Sequence, residues 1–181
     1  MEKGIVRRHP LRSEGGCCYC LQMHKPKLKL RSAGEGDLDA INQVVEAAVM
    51  TWQLPERVKR LAMPSYRYNE HDLEHYEIVV VETGSEIVGA AAWDTEPHLG
   101  PAGEKALLLH GIYVYPEQQH QGIGTQLLSA AEEAARAREF DGILIKAQKD
   151  AEGFFMAKGL EKLVAKDLAR DYENRYWKRL R

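Results

Sequence analysis

Two stretches of the chain carry residue types that could do chemistry. In the apolar run ALLLHGIYV, His110 interrupts side chains that otherwise suit a buried central strand. A neutral imidazole accepts a proton near physiological pH, directly or through water. A polar ring is costly in such a strand unless it is used, or hydrogen-bonded to a core neighbour. Six residues further on begins PEQQHQGIGTQLL (116–128), which sets Gly122 and Gly124 between polar side chains and an apolar-periodic segment. Glycines ahead of a helix let main-chain N–H groups approach an anion closely, with the helix dipole aimed at it.

Three kinds of anion site compete for that loop. A nucleotide P-loop needs G-x-x-x-x-G-K-[ST], and no Lys-Ser/Thr pair follows these glycines. A dinucleotide fingerprint needs a third glycine where Leu127 stands, and it belongs in the opening βαβ unit rather than two-thirds along the chain. A plain strand–helix turn explains one glycine better than two. The polar Gln119-His120-Gln121 run and the strand just upstream favour a cradle for a pyrophosphate.

The elements that must position these groups can be read from periodicity. KLKLR (27–31) alternates as a strand, and DLDAINQVVEAAVM carries Leu38, Ile41, Val44, Val45 and Ala48 on one helical face, with Asp37 as its N-cap. PERVKRLAM reads as a short helix with Pro55 at its first position. YEIVVVE and EIVGAAAW flank Thr83-Gly84-Ser85 as a hairpin. A polar loop (95–104) leads to the strand of His110. The glycine loop and a helix from about 122 to 138 follow, with Ile123, Leu127, Leu128, Ala131 and Ala135 at helical spacing. GILIKA is a strand, AEGFFMAK a short helix, LEKLV a strand, and RYWKRL an edge strand or hairpin partner. This order predicts one α/β (α+β) domain over 27–181, a central sheet with helices on its faces. Residues 1–26 form a basic, cysteine-containing extension without sustained periodicity.

Composition narrows the function classes. The 181 residues carry a formal net charge of −2, but the charge is divided unevenly. The first 31 residues hold eight Lys/Arg against two Asp/Glu, and the rest hold seventeen against twenty-five. An acidic body argues against nucleic-acid binding and suits a cationic partner such as an amine. No apolar run approaches the roughly 20 residues of a membrane span, and the N-terminal stretch has no apolar secretory core. The expectation is a cytoplasmic protein without a membrane partner. All three cysteines, Cys17, Cys18 and Cys20, lie near His24, half of a soft-metal site at most or else a thiol-rich tail.

GIYVYPEQQHQGIGTQLL resembles the acyl-CoA motif of the GNAT superfamily of acyl-CoA-dependent N-acyltransferases: a strand ending in Val-x-Pro, then Arg/Gln-x-x-Gly-x-Gly/Ala, then a helix. Here these are Val114-Tyr115-Pro116 and Gln119-x-x-Gly122-x-Gly124. AEGFFMAKGL is similar to the family's Ala-x-x-Phe-Tyr-x-x-x-Gly-Phe segment, and the element order matches from about residue 27 to 180. The resemblance implies a mixed, mostly antiparallel sheet of about seven strands with a splayed central strand. It implies acetyl-CoA as acyl donor, with no metal, an amine as acceptor, and it leaves a homodimer open. The pyrophosphate would meet the main chain of Gln119, His120, Gln121, Gly122, Ile123, Gly124 and Thr125. The pantetheine arm would lie along Ile112, Tyr113 and Val114, with Gln148 and Phe155 as further contacts.

Acyl transfer to an amine needs a base, because an alkylammonium with a pKa near ~10 is not a nucleophile. His110 fills that role best; arylalkylamine acetyltransferases in the superfamily carry a histidine at the matching place. Alternation puts it on the strand face of Ile112 and Val114, with Tyr113 and Tyr115 facing away. The N–H of Ile112 would serve the oxyanion. Glu77 and Glu104 are weaker bases. The family's tyrosine acid is replaced by Phe155, which leaves water or another tyrosine to protonate the leaving thiolate. Trp52, Tyr66, Tyr68 and Trp93 could line the acceptor pocket or simply pack the core, and Glu70, Asp72 and Glu74 could attract a cation or form a solvated helix face. Two rival roles remain: an acyl-CoA sensor that does not turn over, and a metal-responsive protein working through the cysteines.

Overall fold

The computed structural model describes residues 27–165 and 172–181. Cys17, Cys18, Cys20 and His24 therefore lie outside the described residues. In chain order the elements are β1 (Leu28–Ser32), α1 (Leu38–Met50), α2 (Glu56–Ala62), α3 (Glu70–His75), β2 (Tyr76–Thr83) and β3 (Glu86–Asp94). Then come β4 (His98–Leu99), β5 (Lys105–Val114), α4 (Ile123–Ala137), β6 (Gly142–Lys146), α5 (Glu152–Ala157), β7 (Glu161–Lys162) and β8 (Arg175–Arg179).

The sheet runs β1-β2-β3-β5-β6-β8-β7, with β4 paired to the start of β5 off that path. Every pairing is antiparallel except β5 with β6. The eighth strand is the two-residue β4, inside a segment that reads as an irregular loop. RYWKRL is not an edge: β8 lies between β6 and β7, and its Tyr176 and Trp177 are both buried. Consecutive buried side chains are the mark of a strand covered on both faces.

Strand alternation divides the core in two. Val79, Val81, Ala91, Trp93, Leu107 and Leu109 pack under α4, whose Ile123, Leu127, Leu128, Ala131 and Ala135 line the apolar stripe read from the sequence. Ile78, Val80, Ala90, Ala92 and Tyr113 pack under α1, against Ile41, Val44, Val45 and Val49. Each large side chain buried in these layers contributes about 1.5–3 kcal/mol. No helix among the described residues is long and apolar enough to cross a membrane.

Two helix starts differ from their sequence reading. Asp37 stands at the start of α1 but makes no side-chain cap there. A 3-10 turn (Glu35–Asp37) precedes the helix, and the Asp37 carboxylate accepts from Gly34 N–H at 2.8 Å and from the Arg31 guanidinium at 2.6 and 2.9 Å. Arg31 also donates to Glu82 on β2 at 2.6 Å, so one guanidinium ties β1, β2 and the entry to α1. Arg31 holds both carboxyls below their ordinary values. Pro55 is the N-cap of α2 rather than its first residue, with extended ψ of 138°.

Candidate active site

The site begins where β5 loses a neighbour. From Ala106 to Leu109, β5 is bonded to β6, in register from Ala106↔Gly142 to Leu109↔Ile145. Beyond Ile145 the pairing with β5 ends and β6 keeps only β8, which it pairs along its whole length: Lys146 pairs with Arg175, and Ala147 N–H bonds to Asn174 O. The C-terminal half of β5 is left paired with β3 alone. Tyr115 N–H bonds to Val88 O on the β3 side, so by antiparallel alternation Tyr113 also turns its main chain to β3. Ile112 and Val114 turn theirs the other way, into the gap, where Val114 O meets only a long 3.5 Å approach from Gln119 Nε2. The main-chain groups of Ile112 and Val114 thus face the splay, as the resemblance implies. Tyr113 does not: its ring is buried under α1 as well, which removes it from the cradle.

His110 sits at the point of divergence, and on the opposite face from the one that simple alternation gives. The β3–β5 register slips there: Ala92 pairs with Gly111 but Trp93 pairs with Leu109, leaving His110 as the extra residue of a bulge. A bulge resets the alternation. Leu107 and Leu109 before it, and Ile112 and Val114 after it, all pack under α4. Tyr113 packs under α1, with its ring over Gly111, 2.6 Å from where a Cβ would stand. The His110 ring lies against Tyr76, centroids 4.2 Å apart, and Tyr76 belongs to the α1 side.

Three residues that sequence reasoning missed hold His110. Its Nε2 is 3.1 Å from Asp94 Oδ1, although the alignment is poor for a hydrogen bond, so the contact is chiefly electrostatic. The other Asp94 oxygen pairs with His98 Nε2. Burial, then Asp94 and Asp72, raise the Tyr76 phenol above its ordinary value, which keeps it a hydrogen-bond donor. Asp94 and His98 carry no sequence signal, because only the β3–β5 register and the small β4 bring them to His110.

The glycine loop forms the other half. Gly122 holds φ +89°, a conformation open to glycine and costly for other residues, and it starts α4. The first bond of the helix runs from Gln126 N–H to Gly122 O, so the N–H groups of Ile123, Gly124 and Thr125 have no acceptor within it. Gln119, His120, Gln121 and Gly122 are exposed in front of them, and His120 is itself at φ +62°. Phe154 supplies the ring beside this loop, 3.3 Å from where a Gly124 Cβ would stand. Phe155 is 3% exposed, wedged against Phe154 and stacked on Tyr176 at 5.8 Å.

The segment after α1 crosses to the far wall of the gap. Gln148 Nε2 donates to the Tyr66 hydroxyl at 3.3 Å, Gln53 N–H donates to Asp150 at 2.9 Å, and Trp52 meets Tyr66 edge-on at 5.1 Å. Of the four candidate pocket aromatics, Trp52 and Tyr66 are at this rim, whereas Tyr68 and Trp93 are core. Glu77 accepts from Trp93 Nε1 and Arg138, and Glu104 from Ala102 N–H and Arg179, so both alternative bases are engaged structurally. Beside Tyr76 and Asp94 opens a groove of about 440 Å3, lined also by α3, Glu96 and His98.

This arrangement offers an anion seat at a helix start, an unpaired strand edge leading from it, and an imidazole against a carboxylate at the strand's bulge. No curated protein matches the chain. Among solved structures it is similar to a PaiA N-acetyltransferase from Thermoplasma acidophilum in complex with coenzyme A, at 13% identity and TM-score 0.69, covering 83% of this chain and 97% of that one. It is also similar to a GNAT family acetyltransferase from Brucella melitensis in complex with acetyl-CoA, at 17% identity and TM-score 0.60, covering 86% and 90%. A GCN5-related N-acetyltransferase from Rhodopseudomonas palustris matches at 18% identity and TM-score 0.67, covering 86% and 96%. The model of the acetyltransferase (GNAT) family matches residues 46–160, more than half of the sequence, including β5, the glycine loop and α4. The chain belongs to the GNAT acetyltransferase family.

Proposed function

We propose that the protein is an acetyl-CoA-dependent N-acetyltransferase that moves an acetyl group to a primary amine of a small molecule or protein, by direct attack in a ternary complex. The observation that carries this reading is the one-sided pairing of β5 beyond Leu109, directly upstream of three free N–H donors at the start of α4. Those donors fit a pyrophosphate, and the open main chain of Ile112 and Val114 fits an extended amide-containing arm. Acetyl-CoA would supply the activated acyl group there.

Each group then has one task. His110, with Asp94 behind its Nε2, takes the proton that the amine must lose. The nitrogen forms its bond to the acyl carbon, the carbon–sulfur bond breaks, and the thiolate takes a proton from solvent. A thiol of ordinary pKa, about 8.5, leaves tolerably without a dedicated acid. The Ile112 N–H, facing the gap, would stabilise the oxyanion. Asp72, Glu74, Asp94 and Glu96 line the groove on the His110 side and favour a cationic acceptor.

Phe155 supports the rival reading, a sensor that binds acyl-CoA without turnover, because this buried ring offers no proton. Release of free thiol from acetyl-CoA, measured over a panel of amines with wild type and His110→Ala, separates the two. Amine-dependent release that falls about 10²–10⁴-fold in the variant is the expected result. Tight acetyl-CoA binding with no release on any amine favours the sensor.

A further inference from the structure

We infer that α3 carries a binding site for a divalent first-row transition metal ion, built from His71, Glu74 and His75 on the wall of the groove beside Asp94. The sequence HDLEH spaces the two histidines by four residues and puts the glutamate between them, so all three side chains emerge on one helix face. One ligand atom from each lies within 4.8 Å of the other two. Around an ion bound at about 2 Å, ligand atoms sit roughly 3.3 Å apart, so modest rotations of these exposed side chains complete the set.

Two further features make this more than a chance cluster. His75 Nδ1 is 2.9 Å from His71 O, which fixes Nδ1 as the donor and leaves the Nε2 lone pair for a ligand, the usual arrangement of a metal-binding histidine. The helix is also held rigid at its start: the Asn69 side chain accepts from His71 N–H at 2.9 Å, and Asp72 accepts from Asn69 N–H at 2.8 Å. The helical turn that presents the ligands is therefore in place before any ion arrives, and only side-chain rotations remain. Two imidazoles and one carboxylate suit zinc and its neighbours rather than calcium or magnesium, which prefer oxygen ligands. The remaining positions would face the groove shared with Asp94, Glu96 and His98. The geometry of this site does not depend on the acyl-transfer reading, although Glu74 also lines the groove assigned there to a cationic acceptor, and its chemistry is distinct from that of the thiols of Cys17, Cys18 and Cys20.

The test is calorimetric titration of the full chain with Zn2+, in a background of Cys17→Ser, Cys18→Ser and Cys20→Ser that removes the competing thiolates. The expected result is one zinc per chain with low-micromolar affinity, weakened about tenfold or more by His75→Ala and equally by His71→Ala. Affinity should also fall on acidification, as protons compete for the imidazoles. All three ligands are exposed, so the variants fold, and far-UV circular dichroism checks that they do. No zinc uptake by the serine background, or uptake that His71→Ala and His75→Ala leave unchanged, overturns the inference.

Discussion

The proposed seat for the acyl donor and the approach to His110 are made from different materials. On the donor side the partners are main-chain groups: the N–H donors of Ile123, Gly124 and Thr125, and the open edge of Ile112 and Val114. On the acceptor side they are side chains drawn from separate elements, with His110 on β5, Asp94 on β3, Tyr76 on β2 and His98 on β4. Main-chain sites tolerate almost any side chain that keeps the backbone shape. Side-chain sites fail with the loss of one group. The two halves should therefore respond to different substitutions and in different kinetic constants.

The largest separation is expected at Asp94. Asp94→Asn keeps the shape but removes the charge behind His110, and should lower kcat about 10–100-fold while leaving the affinity for acetyl-CoA unchanged. Steady-state kinetics beside direct binding read both numbers. An equal loss in both would erase the distinction between the halves. Gly122→Ala should do the reverse. An L-residue at φ +89° costs about 1–2 kcal/mol, and relief of that strain turns N–H groups away from the anion. Affinity for acetyl-CoA should drop about tenfold, with the pH dependence of turnover unaltered.

Smaller effects sharpen the boundary of the site. Arg31→Ala removes the guanidinium that lowers the pKa of Asp37 and Glu82. Carboxyls depressed in the folded state stabilise it above their unfolded values, and that contribution is lost as pH falls through the folded ones. The variant should melt a few degrees lower than wild type at pH 7, and the gap should close below about pH 4. Activity per folded molecule should not change. Phe155→Tyr should have the least effect on chemistry. Its hydroxyl would be added inside a packed core, lowering the melting temperature while the pH–rate profile stays as it is.

The same contrast explains what could be read from the chain. Glycine spacing, Val-x-Pro and helix periodicity are local, so the loop from Gln119 to Gly122 and the course of α4 were legible. The splay also followed, through the family resemblance. The face of His110 did not, because a bulge has no sequence mark here: Gly111 fits one, but it fits a plain strand equally. Asp94 directly follows a strand read as EIVGAAAW, and His98 reads as loop. Their meeting with His110 depends on register across β3, β4 and β5, which local patterns do not encode. The interior place of β8 was hidden for the same reason, since RYWKRL is too short to tell an edge from a centre.

The central claim is that the open edge of β5 and the start of α4 form one seat for acetyl-CoA. Amide hydrogen exchange, resolved by residue with and without coenzyme A, tests it most directly. Without ligand, Ile112, Val114, Gly124 and Thr125 should exchange fast, while Tyr113 and Tyr115, bonded to β3, stay protected. Coenzyme A should slow the first four and leave the last two unchanged. Protection that arises elsewhere, with Ile112 and Val114 unaffected, would contradict the account.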